Sequence, residues 1–215
     1  MKLEFLLEHL PMMMRATIVT IQLTLVTLVA STVFAIPLAI VRMREYTFGA
    51  RMVAWYSALM RAVPTLVLLF FVYYGLPQIG VVIPAFVTAL VGLSLSAIAY
   101  NLEIIRSGLM AVDRGQIEAA RALGVPGWRI WWNIAIPQAV PVMVPTYLSN
   151  ATLVLKGTSV ASIITIPELT AVANEIVSET YRPFEILLGA TAIYIVLGGV
   201  LTLAAQVASR QWQAK

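Results

Sequence analysis

The sequence predicts an all-α, polytopic membrane protein with about five transmembrane helices, and three observations carry that expectation. Of its 215 residues, 60% are hydrophobic and only 11% charged, against roughly 25% charged in a soluble domain. Mean hydropathy is +0.90. A helical crossing takes roughly 20 apolar residues, and the chain divides into five such runs separated by polar stretches. No tandem repeat, low-complexity tract or Pro/Ser-rich linker interrupts it, so residues 1–215 read as a single domain. Cys is absent and His9 is the only histidine, which excludes a disulfide framework and a thiolate or imidazole metal cluster.

Residues 1–16 mix Glu4, Glu8, His9 and Arg15 with Leu3, Phe5, Leu6, Leu7, Leu10 and Met13, the composition of an amphipathic helix lying in the interface. The uncharged run 17–41 follows. It is longer than the ~7–15-residue core of a signal peptide and fits a full span, with Pro37 placed to bend its far end. A short loop with Arg42, Arg44, Glu45 and Arg51 leads to a second span over 52–76, with Arg61 inside it, closing at Gly75-Leu76-Pro77. The third span covers 81–106. The fourth covers 138–157 and contains Pro141 and Pro145. Residues 158–183 are too polar to cross, and the fifth span covers 184–209.

The net charge of +4 sits at span ends, where it reports orientation rather than nucleic-acid binding. An N-terminus outside places nine basic residues on the cytoplasmic side (Arg42, Arg44, Arg51, Arg106, Arg114, Arg121, Arg129, Arg210 and Lys215) and three outside (Lys2, Arg15 and Arg182). That orientation is the one expected, and it puts residues 107–137 in the cytoplasm.

Residues 107–137 form the longest polar break. A short helix is expected over 116–123, with Ala119, Ala120 and Ala122 small enough for another protein surface to approach. Gly124 suits the left-handed position after that helix, and Pro126 suits the first turn of the next one. Pro137 marks a restart into the fourth span. The product is a rigid helix, bend, helix, able to pass a push from a soluble partner into the membrane helices; the competing reading is a solvated connector. Trp128, Trp131 and Trp132 fall at helical spacing and suit the headgroup level.

The loop pattern runs Glu118-Ala119-Ala120, three residues, Gly124, nine residues, Ile134-Ala135-Ile136-Pro137. It resembles the EAA loop of ABC-transporter permeases, with Ile136 in place of the usual Leu. Thr20-Ile21-Gln22-Leu23, the stretch 70–77 (FFVYYGLP), Ala99-Tyr100 with Glu103 and Arg106, Gly115-Gln116, and Lys156-Gly157-Thr158-Ser159 extend the likeness over nearly the whole chain. Together they resemble the polar amino acid uptake group of histidine, glutamine and arginine permeases, which have a MetI-like transmembrane domain. Two positions depart from the group: Arg61-Ala62-Val63-Pro64 stands where Arg-Gly-Thr-Pro is usual, and Gly157 where an acidic residue is common.

The resemblance implies that Glu118, Ala119, Ala120 and Gly124 couple to a groove of a separate ATP-binding subunit, which binds ATP and Mg. It implies no cofactor in this chain. It also implies a second permease subunit, identical or paralogous, an extracytoplasmic substrate-binding protein, a bacterial inner-membrane location, and a polar amino acid or related compound such as an opine as cargo.

Ionisable and amide groups at membrane depth are functional candidates by default. Arg61 either lines the path or snorkels to the headgroups. Glu103 and Arg106 lie three apart on one helix face and either pair or serve substrate movement. Lys156 needs a partner from elsewhere: a substrate carboxylate, Glu103 or another subunit, with Asn150, Thr158 and Ser159 adding hydrogen bonds. Asn101 offers a similar amide from the third span. It shares a pocket with Lys156 only if the fourth span enters late, for instance after Pro145. Glu103 is the one acidic group expected inside the membrane. Thr165 to Glu168 reads as a capping box opening an outer helix over 166–179, whose Glu168, Glu175 and Glu179 make the outer face negative; it is either a solvated helix or a gate or docking surface for an external binding protein.

No G-x-x-x-x-G-K-[ST] occurs, so ATP hydrolysis is assigned to another chain. The competing class is an ATP-independent secondary amino acid carrier, which predicts inverted repeats and intramembrane carboxylates. A non-transporting scaffold is the third reading, and it predicts no polar residue inside the bundle.

Overall fold

The computed structural model describes residues 3–44 and 46–213; Lys2, Glu45 and Lys215, which enter the charge reading above, lie outside them. All regular elements among the described residues are helical. Helix α1 is Leu3–Arg42, α2 Phe48–Ala62 and α3 Thr65–Phe70, the last continuing through a π-turn (Phe71–Gly75) and a 3₁₀ turn (Leu76–Ile79). Then follow α4 (Ala85–Met110), α5 (Arg114–Ala122), α6 (Gly127–Ile130) and a π-segment (Trp131–Ala135) leading into α7 (Ile136–Gly157). A 3₁₀ turn (Thr158–Ile164), α8 (Leu169–Thr180) and α9 (Pro183–Gln213) complete the chain.

Three helices, α1, α4 and α9, are each long and apolar enough to cross a membrane alone. Counting two bent pairs as one span each gives five. The expected first, third and fifth spans correspond to α1, α4 and α9.

Three expectations are corrected. Residues 3–16 are not a separate interfacial helix but the start of α1. Nothing between Met13 and Thr17 stops the helix, and burial of Met13 and Ala16 against Leu169, Val172, Ile176 and Ile186 holds it in register. The second span is broken. The halves α2 and α3 meet at 103°, because Pro64 forces Val63 out of the helical region to φ −84°, ψ 129°. The fourth span starts earlier than 138, since the π-segment carries α6 into α7 without a restart at Pro137.

Helix α4 is the spine, packing against α1, α2, α3 and α7. Tyr56 Oη donates to the Leu95 carbonyl at 2.7 Å, fixing α2 on α4. One face of α1 carries Thr17, Thr20, Thr24, Thr27 and Ser31, all buried. Small polar residues let helices approach closely where apolar attraction between them is weak, as in lipid. Thr17 and Thr24 satisfy themselves on the carbonyls of Met13 and Thr20, each at 2.8 Å.

The outer helix also differs from expectation. Thr165 does not cap α8; it takes a left-handed conformation (φ 65°) that ends the preceding 3₁₀ turn. Glu168 is the N-cap, its side chain accepting from the Ala171 N–H. Glu168 is therefore fully buried rather than part of an acidic outer face, and it joins Glu103 as an acidic side chain inside the bundle. Glu175 and Glu179 are exposed as expected.

Candidate functional site

Two features stand apart from plain helix packing: a capped elbow and a cavity. The elbow is built from local chemistry. Asp113 opens α5 by accepting the Gly115 N–H at 2.6 Å. The helix ends in a paired-bond C-cap: Gly124 N–H donates to Arg121 O at 2.9 Å and Val125 N–H to Ala120 O at 3.0 Å. That geometry needs a left-handed residue, and Gly124 supplies it at φ 74° without a side-chain penalty. Pro126 is the N-cap of α6, one position before the first-turn place expected for it. Its carbonyl accepts the Arg129 N–H at 2.9 Å.

Glu118, Ala119, Ala122 and Gly124 face outward, while Ala120 is buried against its own molecule. At the tip Leu123 is 83% exposed, a large apolar side chain with nothing over it. Gln138 Nε2 donates to Gln116 Oε1 at 2.7 Å, tying the elbow to α7. Trp128 and Trp132 are exposed beside it, and the Arg129 guanidinium lies 5.2 Å from the Trp128 ring centre.

The cavity, about 340 Å³, lies where the α2–α3 bend faces α4 and α7. Its polar lining is Arg61, Thr65, Ser96, Tyr100 and Asn150, set among apolar groups such as Leu93 and Val154, with Gly157 on its wall. Asn150 is held from behind: its Nδ2 donates to Asn101 Oδ1 at 2.9 Å, and Asn101 Nδ2 donates to Ser31 Oγ at 2.9 Å. A buried amide relay thus joins α1, α4 and α7.

The candidate residues fall into distinct places. Arg61 and Asn150 line the cavity, and Asn101 lies directly behind Asn150. Glu103 pairs with Arg106 at 3.4 Å and accepts from Ser57 Oγ at 3.0 Å. Lys156 is exposed in the last turn of α7 and has no salt bridge among the described residues. Thr158 and Ser159 donate to the carbonyls of Leu155 and Lys156, each at 2.7 Å, and so finish that helix.

Sequence reasoning missed the threonine face of α1 and the burial of Glu168. The first had a signal, hydroxyl residues at 17, 20, 24, 27 and 31 in an otherwise apolar run, which is helical spacing on one face. The second had none, because the groups that bury Glu168 lie on α1 and α9.

Polar groups kept around a cavity between helices of membrane-spanning length are the mark of a membrane transport protein, and the comparisons with known proteins agree. The chain belongs to the family of binding-protein-dependent transport system inner membrane components, permeases of ATP-binding cassette transporters; the family model matches residues 31–213. It is 34% identical over 213 residues to the nopaline transport system permease protein NocM of Agrobacterium fabrum, covering 94% of this chain and 88% of that one. It is 37% identical over 205 residues to the octopine transport system permease protein OccM of Rhizobium meliloti, covering 90% and 82%. A solved amino acid ABC transporter, crystallised with histidines, matches with a TM-score of 0.90 at 31% identity, covering 98% of this chain and 99% of that chain.

Proposed function

We propose that this chain is one permease subunit of an importer that moves a polar amino acid or a related compound, opines included, across the inner membrane. The relatives transport nopaline and octopine by name, and the solved neighbour is an amino acid transporter. The observation that carries the reading is helical continuity. From Gly127 to Gly157 the backbone stays helical, so one continuous helical element begins at the elbow and ends at the cavity wall.

In this reading Glu118, Ala119 and Gly124 on the outward face, backed by Ala120, dock on a separate ATP-binding subunit, which holds ATP and Mg. This chain then contributes no ATPase site. Closure of the ATPase dimer moves the elbows, α7 follows, and the cavity opens to the opposite side. The N-terminus lies outside and the elbow in the cytoplasm. A second permease, identical or paralogous, and an extracytoplasmic substrate-binding protein complete the assembly, with Arg61 and Asn150 on the substrate path. Asn101 supports them from behind, and Glu103, Lys156, Thr158 and Ser159 lie off the cavity wall.

The test is reconstitution with candidate ATP-binding subunits. Binding-protein-stimulated ATP hydrolysis and uptake are measured for wild type, Glu118→Ala and Gly124→Pro. Both substitutions are expected to lower uptake per ATP hydrolysed. Uptake that is independent of ATP and indifferent to both substitutions overturns the proposal.

A further inference from the structure

We propose that the cleft at the foot of α1, α4 and α5 binds one anionic phospholipid. Arg114 holds its phosphate, and its glycerol and upper acyl carbons lie on an apolar wall. The leaflet is the one on the elbow side, cytoplasmic in the orientation proposed above, and the site is independent of what the chain transports.

The cleft, about 340 Å³, is framed by Met43 and Tyr46 beyond the end of α1, Leu109 and Met110 at the end of α4, and Arg114 and Ile117 on α5. Among the described residues Arg114 is the one charged side chain on its wall, and the Tyr46 hydroxyl is the one other polar side-chain group. Met43, Arg114 and Ile117 also line a second cleft, which continues past Glu118 to Arg121 and Trp131. The two therefore adjoin at Arg114.

The arginines here are uncommitted. The one salt bridge among the described residues joins Arg106 to Glu103, so neither Arg114 nor Arg121 is paired there, although Glu118 lies between them in sequence. Arg42, the residue before Met43, has its Nε buried without a hydrogen-bond partner among the described residues. Segments 42–51 and 113–121 together contain five arginines against three acids, which leaves the foot of the bundle net positive. Asp113 already caps α5 on the Gly115 N–H, so attraction for an anion comes from the arginine side chains and not from the helix end.

Position and lining point to a lipid. Helices α1 and α4, each long and apolar enough to cross a membrane, end at Arg42 and Met110, so the cleft opens where two spans leave the hydrocarbon. Tyr46 is 92% exposed and Met110 44%, and Trp131 lines the adjoining cleft; tyrosine and tryptophan belong at headgroup level. A soluble anion gains nothing from the apolar wall. A phospholipid sets its phosphate on the arginine fork and its carbon on Leu109 and Met110, and basic pockets between membrane helices on the cytoplasmic side suit anionic headgroups. A zwitterionic lipid would instead bring its ammonium group among the arginines. The ATP-binding partner keeps its own surface: at 3.6 residues per turn Arg114, Ile117 and Arg121 share one face of α5, and Ala119 lies opposite.

The experiment uses the full permease–ATPase complex in detergent, equilibrated with equal amounts of phosphatidylglycerol and phosphatidylcholine of identical acyl chains, and counts bound lipid by native mass spectrometry. Wild type is expected to prefer phosphatidylglycerol by about fivefold. Arg114→Gln should abolish that preference, Arg114→Lys should retain most of it, and Met110→Glu should weaken it. Arg210→Gln removes an equal charge from the last turn of α9 and should leave the preference unchanged. Glycerol 3-phosphate at equal concentration should not displace the lipid. No preference in wild type, an equal loss in Arg210→Gln and Arg114→Gln, displacement by glycerol 3-phosphate, or a preference seen only after the ATPase subunit is removed overturns the proposal. Uptake is measured separately in proteoliposomes. Lipid preference intact beside ATP-independent uptake sinks the importer reading alone, and ATP-driven uptake without lipid preference sinks the lipid site alone.

Discussion

Tyr194 Oη donates to Glu168 Oε2 across 2.9 Å, tying α9 to the N-terminus of α8 inside the protein. The same carboxylate accepts the Ala171 N–H at 2.8 Å and the Thr20 hydroxyl at 3.4 Å, while Thr20 Oγ1 accepts the Leu169 N–H at 3.1 Å. Three helices converge on one fully buried acid. Glu168→Ala removes an N-cap and leaves buried donors unpaired, a loss of about 3 kcal/mol from the two effects combined. Glu168→Gln keeps one acceptor and should cost less, and Tyr194→Phe less again, about 1 kcal/mol. Thermal unfolding of the detergent-purified protein gives the ranking. A Glu168→Ala variant as stable as Tyr194→Phe would contradict the hub.

The elbow makes a separable prediction. Gly124 is left-handed, and a Cβ there meets no neighbour within 4 Å, so Gly124→Ala suffers backbone strain alone, about 1 kcal/mol. Gly124→Pro additionally loses the N–H that bonds Arg121 O and cannot reach a positive φ. Uptake per ATP should fall slightly for the alanine variant and steeply for proline, with overall unfolding temperature little changed in either. Equal uptake ratios for the two variants would show that the bend is not the coupling element.

Long apolar runs were legible because hydropathy and length are local properties, and α1, α4 and α9 answer to them directly. The elbow was legible because a C-cap glycine and a following proline act within a few residues. What stayed hidden depends on partners distant in the chain. The 103° break at Val63–Pro64 had a local sign in the pre-proline residue, yet hydropathy alone runs straight through it. Glu168 read as one of several outer acids because nothing between residues 165 and 180 records that α1 and α9 close over it. Asn101 is a candidate on polarity alone; that its partner is Asn150 follows from how α4 and α7 cross.

The amide relay predicts non-additivity. Asn101 is fully buried and bridges Ser31 and Asn150. Interhelical hydrogen bonds in membrane proteins average about 0.6 kcal/mol, with a maximum near 1.7, so Asn101→Ala and Asn150→Ala should each cost on the order of 1 kcal/mol. The double variant should cost less than their sum, since the first deletion already breaks the shared bond. A double-mutant cycle on unfolding free energy checks this, and strict additivity would exclude the Asn101–Asn150 bond as a contributor.

The last prediction concerns how α4 meets α7, the helix that connects elbow to cavity. A Cβ at Gly108 would overlap Met143 Cγ and lie 3.3 Å from the Ala139 carbonyl oxygen, so the helices touch where glycine leaves backbone exposed to a neighbouring side chain. Gly108→Ala overpacks this contact and should destabilise by about 1–3 kcal/mol. Met143 is flexible and unbranched, so part of the loss is relieved by its own movement. The overlap with the side chain and the tight approach to the backbone oxygen can be told apart. Met143→Ala in the Gly108→Ala background removes the first and leaves the second, and should restore most of the stability if Met143 is the obstacle. Unfolding temperature measures the clash, and ATPase stimulation by the binding protein measures whether α7 still moves against α4. If the double variant regains stability without regaining stimulation, the contact transmits motion as well as holding the bundle; if neither returns, the Ala139 carbonyl sets the limit on how closely these helices approach.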